Sequence, residues 1–261
     1  MSNQSLFESW KGLSDHDLAT ELARETGKRL VVHREQEIET GTTVWRLKDS
    51  GDMVAHNFLM EAFKALRPDD AVLSEEGADS RQRLTSDRVW IVDPLDGTQE
   101  FGEGRSDWAV HIALWEKDAL TAGAVSLPSI ETVFSTNPAT PVPAKEGKKP
   151  RLVTSRNRAP YAAILVAEQL DCEAYRLGSA GAKTMSILMG EADIYVHDGG
   201  MHQWDSAAPA AVALASGLHA SRIDGSPLEY NGPDTWLPDF FVCRPEYTDA
   251  ILHAIWGRDP R

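Results

Sequence analysis

Asp93 and Asp96 stand three residues apart in the run Asp93-Pro94-Leu95-Asp96-Gly97-Thr98, directly after the unbroken apolar stretch Val89-Trp90-Ile91-Val92. Two carboxylates on one stiff turn can reach adjacent cations, because Pro94 fixes its own φ and Gly97 lets the backbone come close to a ligand. Carboxylate and carbonyl oxygens suit a hard divalent ion such as Mg²⁺. The chemistry such a turn serves is the binding of hard cations by paired carboxylates. An isolated D-x-x-D is more often a solvated turn. The buried strand before it, with Pro, Gly and Thr in register, favours the metal site.

Other acids admit two readings each. Glu75 and Glu76 close a short apolar stretch, Ala71-Val72-Leu73, and adjacent like charges are either solvated or shared by a cation. Asp205 stands where a helix should begin, the place of an N-cap, whose second oxygen can still face a metal. Asp52 is expected in the first turn of a helix, where an acid meets the dipole favourably. Ser179, Lys183 and Arg156 offer a hydroxyl and two cations, and equally read as surface or loop residues. His111 and His197 fall inside strand segments, where packing accounts for them. Trp204 reads as core, and His202, close to Asp205, has no role assigned.

These residues need a frame. Ser14-Asp15-His16-Asp17 reads as a capping box ahead of an amphipathic helix ending near Val32. A second helix, over 51–66, buries Val54, Phe58 and Ala62 and stops at Arg67-Pro68. Strands are expected at 71–73, 89–92, 108–115, 123–127 and 132–135, and the unbroken apolar run at 89–92 marks a strand covered on both faces. Residues 137–150 hold four prolines and three lysines and read as a linker. Beyond it, strands at 151–154, 174–176, 192–196 and 240–243 alternate with helices at 161–169, 182–189, 205–216 and 247–256. The pattern predicts α/β (α+β) layers in two parts: an N-terminal α+β half, 1–145, with the metal site, and a C-terminal α/β half, 146–261, with Asp205 and substrate contacts.

A formal charge of −14 repels nucleic-acid polymers, and it repels a small phosphate too. A phosphate site here must therefore carry local positive charge, and bound cations are its source. The two distant cysteines exclude a disulfide framework and a thiolate zinc site. No secretory leader is visible, and no apolar run approaches the roughly 20 residues of a membrane helix. The expectation is a cytoplasmic enzyme acting on a small phosphorylated substrate.

Three blocks now align: Ser74-Glu75-Glu76-Gly77, the run from Asp93 to Glu100-Phe101, and Trp204-Asp205-Ser206-Ala207-Ala208. Their order and spacing resemble the inositol monophosphatase superfamily over nearly the whole chain. The resemblance implies a layered αβαβα sandwich of the inositol monophosphatase and fructose-1,6-bisphosphatase type. It implies a lithium-sensitive phosphatase, two or three Mg²⁺ ions, no phosphoenzyme, and a homodimer. Carried over by motif, Glu75, Asp93, the carbonyl of Leu95, Asp96 and Asp205 are the metal ligands. Thr98 and Glu75 position and deprotonate the attacking water, and Asp52 is the acid paired with Thr98. The stretch before it, Leu47-Lys48-Asp49-Ser50-Gly51, departs from the family pattern. The amides of Gly97 and Thr98 are expected to hold phosphate oxygens at a helix start, with Ser179, Lys183 and Asp205 completing the substrate contacts.

The Glu100-Phe101 ending, with Ser155-Arg156 and Gly178-Ser179-Ala180, resembles the bacterial branch of 3′(2′),5′-bisphosphate nucleotidases. That branch removes the 3′-phosphate of 3′-phosphoadenosine 5′-phosphate, giving AMP and phosphate, in sulfate assimilation. Inositol 1-phosphate and fructose 1,6-bisphosphate are the alternative substrates. A haloacid-dehalogenase-type phosphatase would show D-x-D early in the chain. A sensor that binds Mg²⁺ or nucleotide without turnover would have lost a ligand or Thr98, and all are present.

Overall fold

Ser2 caps α1 (Asn3–Trp10), a helix not anticipated above, which turns Phe7 and Trp10 inward. The computed structural model describes residues 2–145, 147 and 149–257. Ser14 caps α2 (Asp15–Glu39) by accepting the Asp17 amide, and the helix continues well past Val32. Thr43 caps α3 (Val44–Leu66), so Gly51 and Asp52 lie in the helix interior and not at its start. Gly51 misleads because glycine weakens helices. Here its role is spatial: a Cβ would come within 2.7 Å of the Phe101 ring and 3.1 Å of Leu95. The buried face of α3 is Leu47, Ala55, Phe58, Leu59, Ala62 and Phe63, and Val54 is half-buried.

β1 (Ala71–Ser74) pairs parallel with β2 (Arg88–Asp96). After α4 (Thr98–Gly102), the strands β3 (Ala109–Glu116), β4 (Ala119–Leu127) and β5 (Thr132–Ser135) continue an antiparallel meander. The linker 137–150 holds no named helix or strand among its described residues; 146 and 148, and with them the expected boundary, lie outside those.

Beyond the linker come β6 (Arg151–Ser155), α5 (Tyr161–Gln169), β7 (Glu173–Leu177), α6 (Ala180–Leu188) and β8 (Ile194–His197). They are followed by β9 (Met201–His202), α7 (Gln203–Ala215), β10 (His219–Ser221), β11 (Trp236–Leu237), β12 (Phe240–Cys243) and α8 (Thr248–Trp256). Among the described residues, sheets run in the orders β1-β2-β3-β4-β5 and β10-β12-β8-β6-β7, with β9 and β11 as a separate ribbon. No described helix is long and apolar enough to cross a membrane.

Side-chain alternation along β2 sets the layering. Trp90 and Val92 join Leu22, Leu30, Phe58 and Phe63 of α2 and α3. Val89 and Ile91, on the other face, join Met185 of α6 and Ala207, Ala208 and Val212 of α7. The same middle layer packs on Tyr195, Phe240 and Val242 of the second sheet. The outer face of that sheet, Ile194, Val196 and Phe241, is covered by Ala162 and Val166 of α5 and Ile251 of α8. The result is the αβαβα sandwich, with both faces of each sheet covered, as the apolar run of β2 requires.

A buried ion-pair cluster ties the linker to the second sheet. Asp193, fully buried, accepts from Arg151 Nε at 3.2 Å and from Arg244 Nε at 2.8 Å. Arg244 Nη1 also donates to the Pro143 carbonyl at 2.8 Å. Asp193→Ala leaves a buried guanidinium unpaired, and a loss of about 3–5 kcal/mol is expected in urea unfolding. A loss below about 1 kcal/mol would show that the cluster relaxes or hydrates without penalty.

Candidate active site

The acidic turn is an irregular strand end. Asp93 pairs with His111 and Asp96 with Ala109, with a register shift between them at Pro94, which has no N–H to give the ladder. The shift lets two carboxylates three residues apart share one place. Both are buried, 1% and 8% exposed. Gly97 then takes φ 90°, a left-handed conformation suited to glycine, and caps α4.

Four elements bring acids here. β2 supplies Asp93 and Asp96. α7 supplies Asp205, which is not the N-cap: His202 is, and Asp205 sits three residues on, accepting the His202 amide at 2.6 Å in a capping box. Carboxylate oxygens of these three aspartates all lie within 4.8 Å of one another. Glu75 follows β1; its amide donates to Val92 O at 3.4 Å, which sets it alongside Asp93. From α3 comes Asp52: Thr98 Oγ1 lies 3.3 Å from Asp52 Oδ1 and 3.1 Å from Leu95 O. The predicted Thr98–Asp52 pair is therefore present, despite the unusual stretch before Asp52.

Crowding raises the acids' proton affinity. Burial, then Glu75, Asp96 and Asp205, push Asp93 well above the usual carboxylate range. Glu75 is exposed, yet other acids lie close to it. Desolvation there and the charge of Asp205 push it up to about 7. Asp205 rises to about 6 through burial and Asp96, and Asp52 to about 7 through burial and Glu76. Asp96 goes the other way: burial opposes ionisation, but His111, Lys183 and the Gly181 amide at 2.7 Å hold its carboxyl low.

His111 is the residue that sequence reasoning assigned to packing. It is fully buried, with Nδ1 3.2 Å from the Trp204 carbonyl. Its Nε2 is 3.0 Å from Asp96 Oδ2, an ion-pair distance, although off the line of a hydrogen bond. A histidine within the apolar stretch Trp108-Ala109-Val110-His111-Ile112 was the signal available. His197 instead bonds the Gly200 carbonyl through Nε2 at 2.9 Å. His202 stacks on half-buried Trp204, ring centroids 4.6 Å apart.

Ser179 and Lys183 do reach the site. Ser179 caps α6 through the Ala182 amide at 2.7 Å, next to Gly97, and Ser179 and Lys183 are both buried. Lys183 Nζ donates to the Gly178 carbonyl. Burial pushes its ammonium down against the pull of Asp96, Glu100 and Asp205. Arg156 is not free for a phosphate: Glu100 holds it at 3.0 Å and Glu103 at 2.6 Å.

The donor set is oxygen only, anionic and mutually repelling, which fits hard divalent cations. Asp93, Asp96 and Asp205 can hold one directly, with Glu75 and the Leu95 carbonyl at the margin.

Known proteins resemble this chain in sequence and in fold. A family model described as the inositol monophosphatase family matches residues 16–258. A 3′-phosphoadenosine 5′-phosphate phosphatase from Mycobacterium leprae is 44% identical over 93% of this chain and 94% of its own length. The 3′(2′),5′-bisphosphate nucleotidase CysQ of Escherichia coli K12 is 32% identical, over 74% of this chain and 83% of its own. The crystal structure of CysQ from Bacteroides thetaiotaomicron superposes with a TM-score of 0.73 at 25% identity, over 87% of this chain and 95% of that one. With its layered fold, its acidic turn and a family match across almost its full length, this chain belongs to the inositol monophosphatase family.

Proposed function

We propose that this protein is a Mg²⁺-dependent phosphomonoesterase that removes the 3′-phosphate of 3′-phosphoadenosine 5′-phosphate to give AMP and phosphate. The observation that carries the chemistry is the Asp93, Asp96 and Asp205 cluster with Thr98 bonded to Asp52 beside it. The substrate rests on the names borne by the relatives. A cytoplasmic setting in sulfate assimilation and a homodimer belong to the same reading.

Glu75, Asp93, Asp96, Asp205 and the Leu95 carbonyl would hold two or three Mg²⁺ ions. Bound there, Mg²⁺ supplies charge neutralisation on the phosphoryl oxygens and at the leaving oxygen, and lowers the pKa of an attacking water. The chain's own groups do the rest. Thr98 Oγ accepts a hydrogen bond from the water and donates its own proton toward Asp52, fixing the line of attack. Asp52, bonded to Thr98, and Glu75 are the carboxylates placed to take the proton of the attacking water. Gly97 and Thr98 amides at the start of α4, with Ser179 beside Gly97, would steady the phosphate's remaining oxygens, and Lys183, bonded to the Gly178 carbonyl, would act through its charge on Asp96.

Phosphate release should be measured with Mg²⁺ and with chelator from 3′-phosphoadenosine 5′-phosphate, inositol 1-phosphate and fructose 1,6-bisphosphate. The nucleotide is expected to exceed the others in kcat/KM by at least about tenfold, roughly 1.4 kcal/mol. Preference for inositol phosphate overturns the substrate, and silence on all three overturns the phosphatase. Asp96→Asn and Asp205→Asn are expected to lose about 10³-fold or more in kcat with the fold retained. Thr98→Ala should lose about 10²-fold, in kcat and not KM; a change confined to KM makes Thr98 a binding residue.

Raised carboxylates also fix the sign of a pH effect. Glu75 and Asp205 bind protons more tightly folded than unfolded, so their contribution is full below about pH 4 and is lost as pH rises through about 6 to 7. In chelator, Tm should fall between about pH 5 and pH 8. Added Mg²⁺ should raise Tm more at the higher pH. An equal Mg²⁺ effect at both would mean the acids are not where the ion binds.

A further inference from the structure

Arg83 lies in a 3-10 turn, Gln82–Thr85, on the connection that leads from Glu75 to β2. It is 1% exposed, which is rare for an arginine. Its Nε and Nη2 donate to Asp79 at 3.0 and 2.9 Å. Its Nη1 donates to Asn231 Oδ1 and to the Gly232 carbonyl, both at 2.9 Å. Asn231 Nδ2 donates back to the Arg83 carbonyl at 3.1 Å.

The bonds continue toward the acids. Asn231, held at φ 60°, donates its amide to Gln203 Oε1 at 2.6 Å. Gln203 is the first residue of α7, two before Asp205. Its Nε2 donates to the Asp234 carbonyl and its amide to the Thr235 carbonyl, each at 2.8 Å. An unbroken set of hydrogen bonds thus runs from the segment after Glu75 to the helical turn that carries Asp205. Arg83 has no part in the chemistry described above.

Glu75 and Asp205 repel each other, and they come from elements on opposite sides of the linker. β1 ends before Glu75, and between it and β2 the chain forms only this short turn. Buried ion pairs add little net stability, because desolvation offsets attraction. What a five-donor planar fork provides is fixed geometry. We infer that Arg83 is a positioning residue of the metal centre: through Asn231 and Gln203 it fixes the spacing of Glu75 and Asp205 against their repulsion. The inference rests on the reading of these two acids as ligands.

The test compares wild type with Arg83→Met, Arg83→Lys and the milder Asn231→Gly, which suits the positive φ and deletes both side-chain links. Arg222→Met is the control, removing a more exposed two-bond fork on Asp239, at 2.7 and 2.8 Å, that leads to no acid of the site. Mg²⁺ affinity is read without substrate, from the Mg²⁺-induced rise in Tm and by titration calorimetry, and kcat is read at saturating Mg²⁺. The Mg²⁺ dissociation constant should rise about 10- to 100-fold in Arg83→Met and Asn231→Gly. Arg83→Lys should fall between them and wild type, and kcat should largely recover at saturating Mg²⁺. Arg222→Met should lower Tm with the Mg²⁺ constant unmoved. If Arg83→Met does not fold, Asn231→Gly decides. Variants that lose Tm yet bind Mg²⁺ as wild type does overturn the inference. A wild-type protein with no response to Mg²⁺ overturns the metal reading beneath it, an outcome told apart by the wild-type arm alone.

Discussion

Repulsion among Asp93, Asp96, Asp205 and Glu75 is the constraint the rest of the structure answers. Like charges this close, with Asp93 and Asp96 buried, oppose the compact state strongly. Each aspartate is steadied by one backbone N–H: Leu95 on Asp93 Oδ1 at 3.0 Å, Gly181 on Asp96 Oδ2 at 2.7 Å, His202 on Asp205 Oδ2 at 2.6 Å. One oxygen of each is held in this way. Three donors from three segments define the site more rigidly than one loop does; Lys183 adds a nearby positive group, and His111 Nε2 lies 3.0 Å from Asp96.

The five layers make that convergence possible. The middle layer, α6 and α7, lies between the two sheets, and α7 is slim there because Ala207, Ala208, Ala210 and Ala213 fill its buried surface. The first turns of both helices meet the end of β2, one through Gly181 and the other through Asp205. Open α/β sheets place ligands beyond the carboxyl ends of strands. Here the rule is met by β1 and β2 together, since Glu75 and Asp93 leave neighbouring parallel strands. The cluster violates the general preference for paired buried charge. Such violations concentrate at functional sites, where a ligand supplies what the chain lacks.

Much of this was legible because it is local. The apolar run of β2, the turn with Pro94 and Gly97, helix α5 and strand β12 depend on neighbours in sequence, and they fall where the pattern puts them. The errors share a cause. Gly51 reads as a helix boundary because its reason for being glycine, the Phe101 ring, lies on another element. Asp205 reads as an N-cap because the true cap is His202, which uses the pairing of β9 with β11 and a bond to Thr235. His111 reads as packing because Asp96 is its neighbour only across a strand pair and a register shift. Arg83 shows no sign in sequence at all, since its partners Asn231 and Gly232 lie far along the chain.

Charge then orders the events at the site. A chain of net −14 presents a phosphate with repulsion over long range, and the acid cluster adds to it at short range. The cations near the cluster do not reverse this, because Lys183 is bound to the Gly178 carbonyl and faces acids, while Arg156 is neutralised by Glu100 and Glu103. A phosphate monoester therefore gains little from the bare protein. Divalent cations on the same acids invert the local sign and make a phosphate-binding surface from an anionic one. The acids that destabilise the empty fold are the ones that make loading favourable. In this site the cost in stability and the dependence on metal are one property, set by the spacing of four carboxylates.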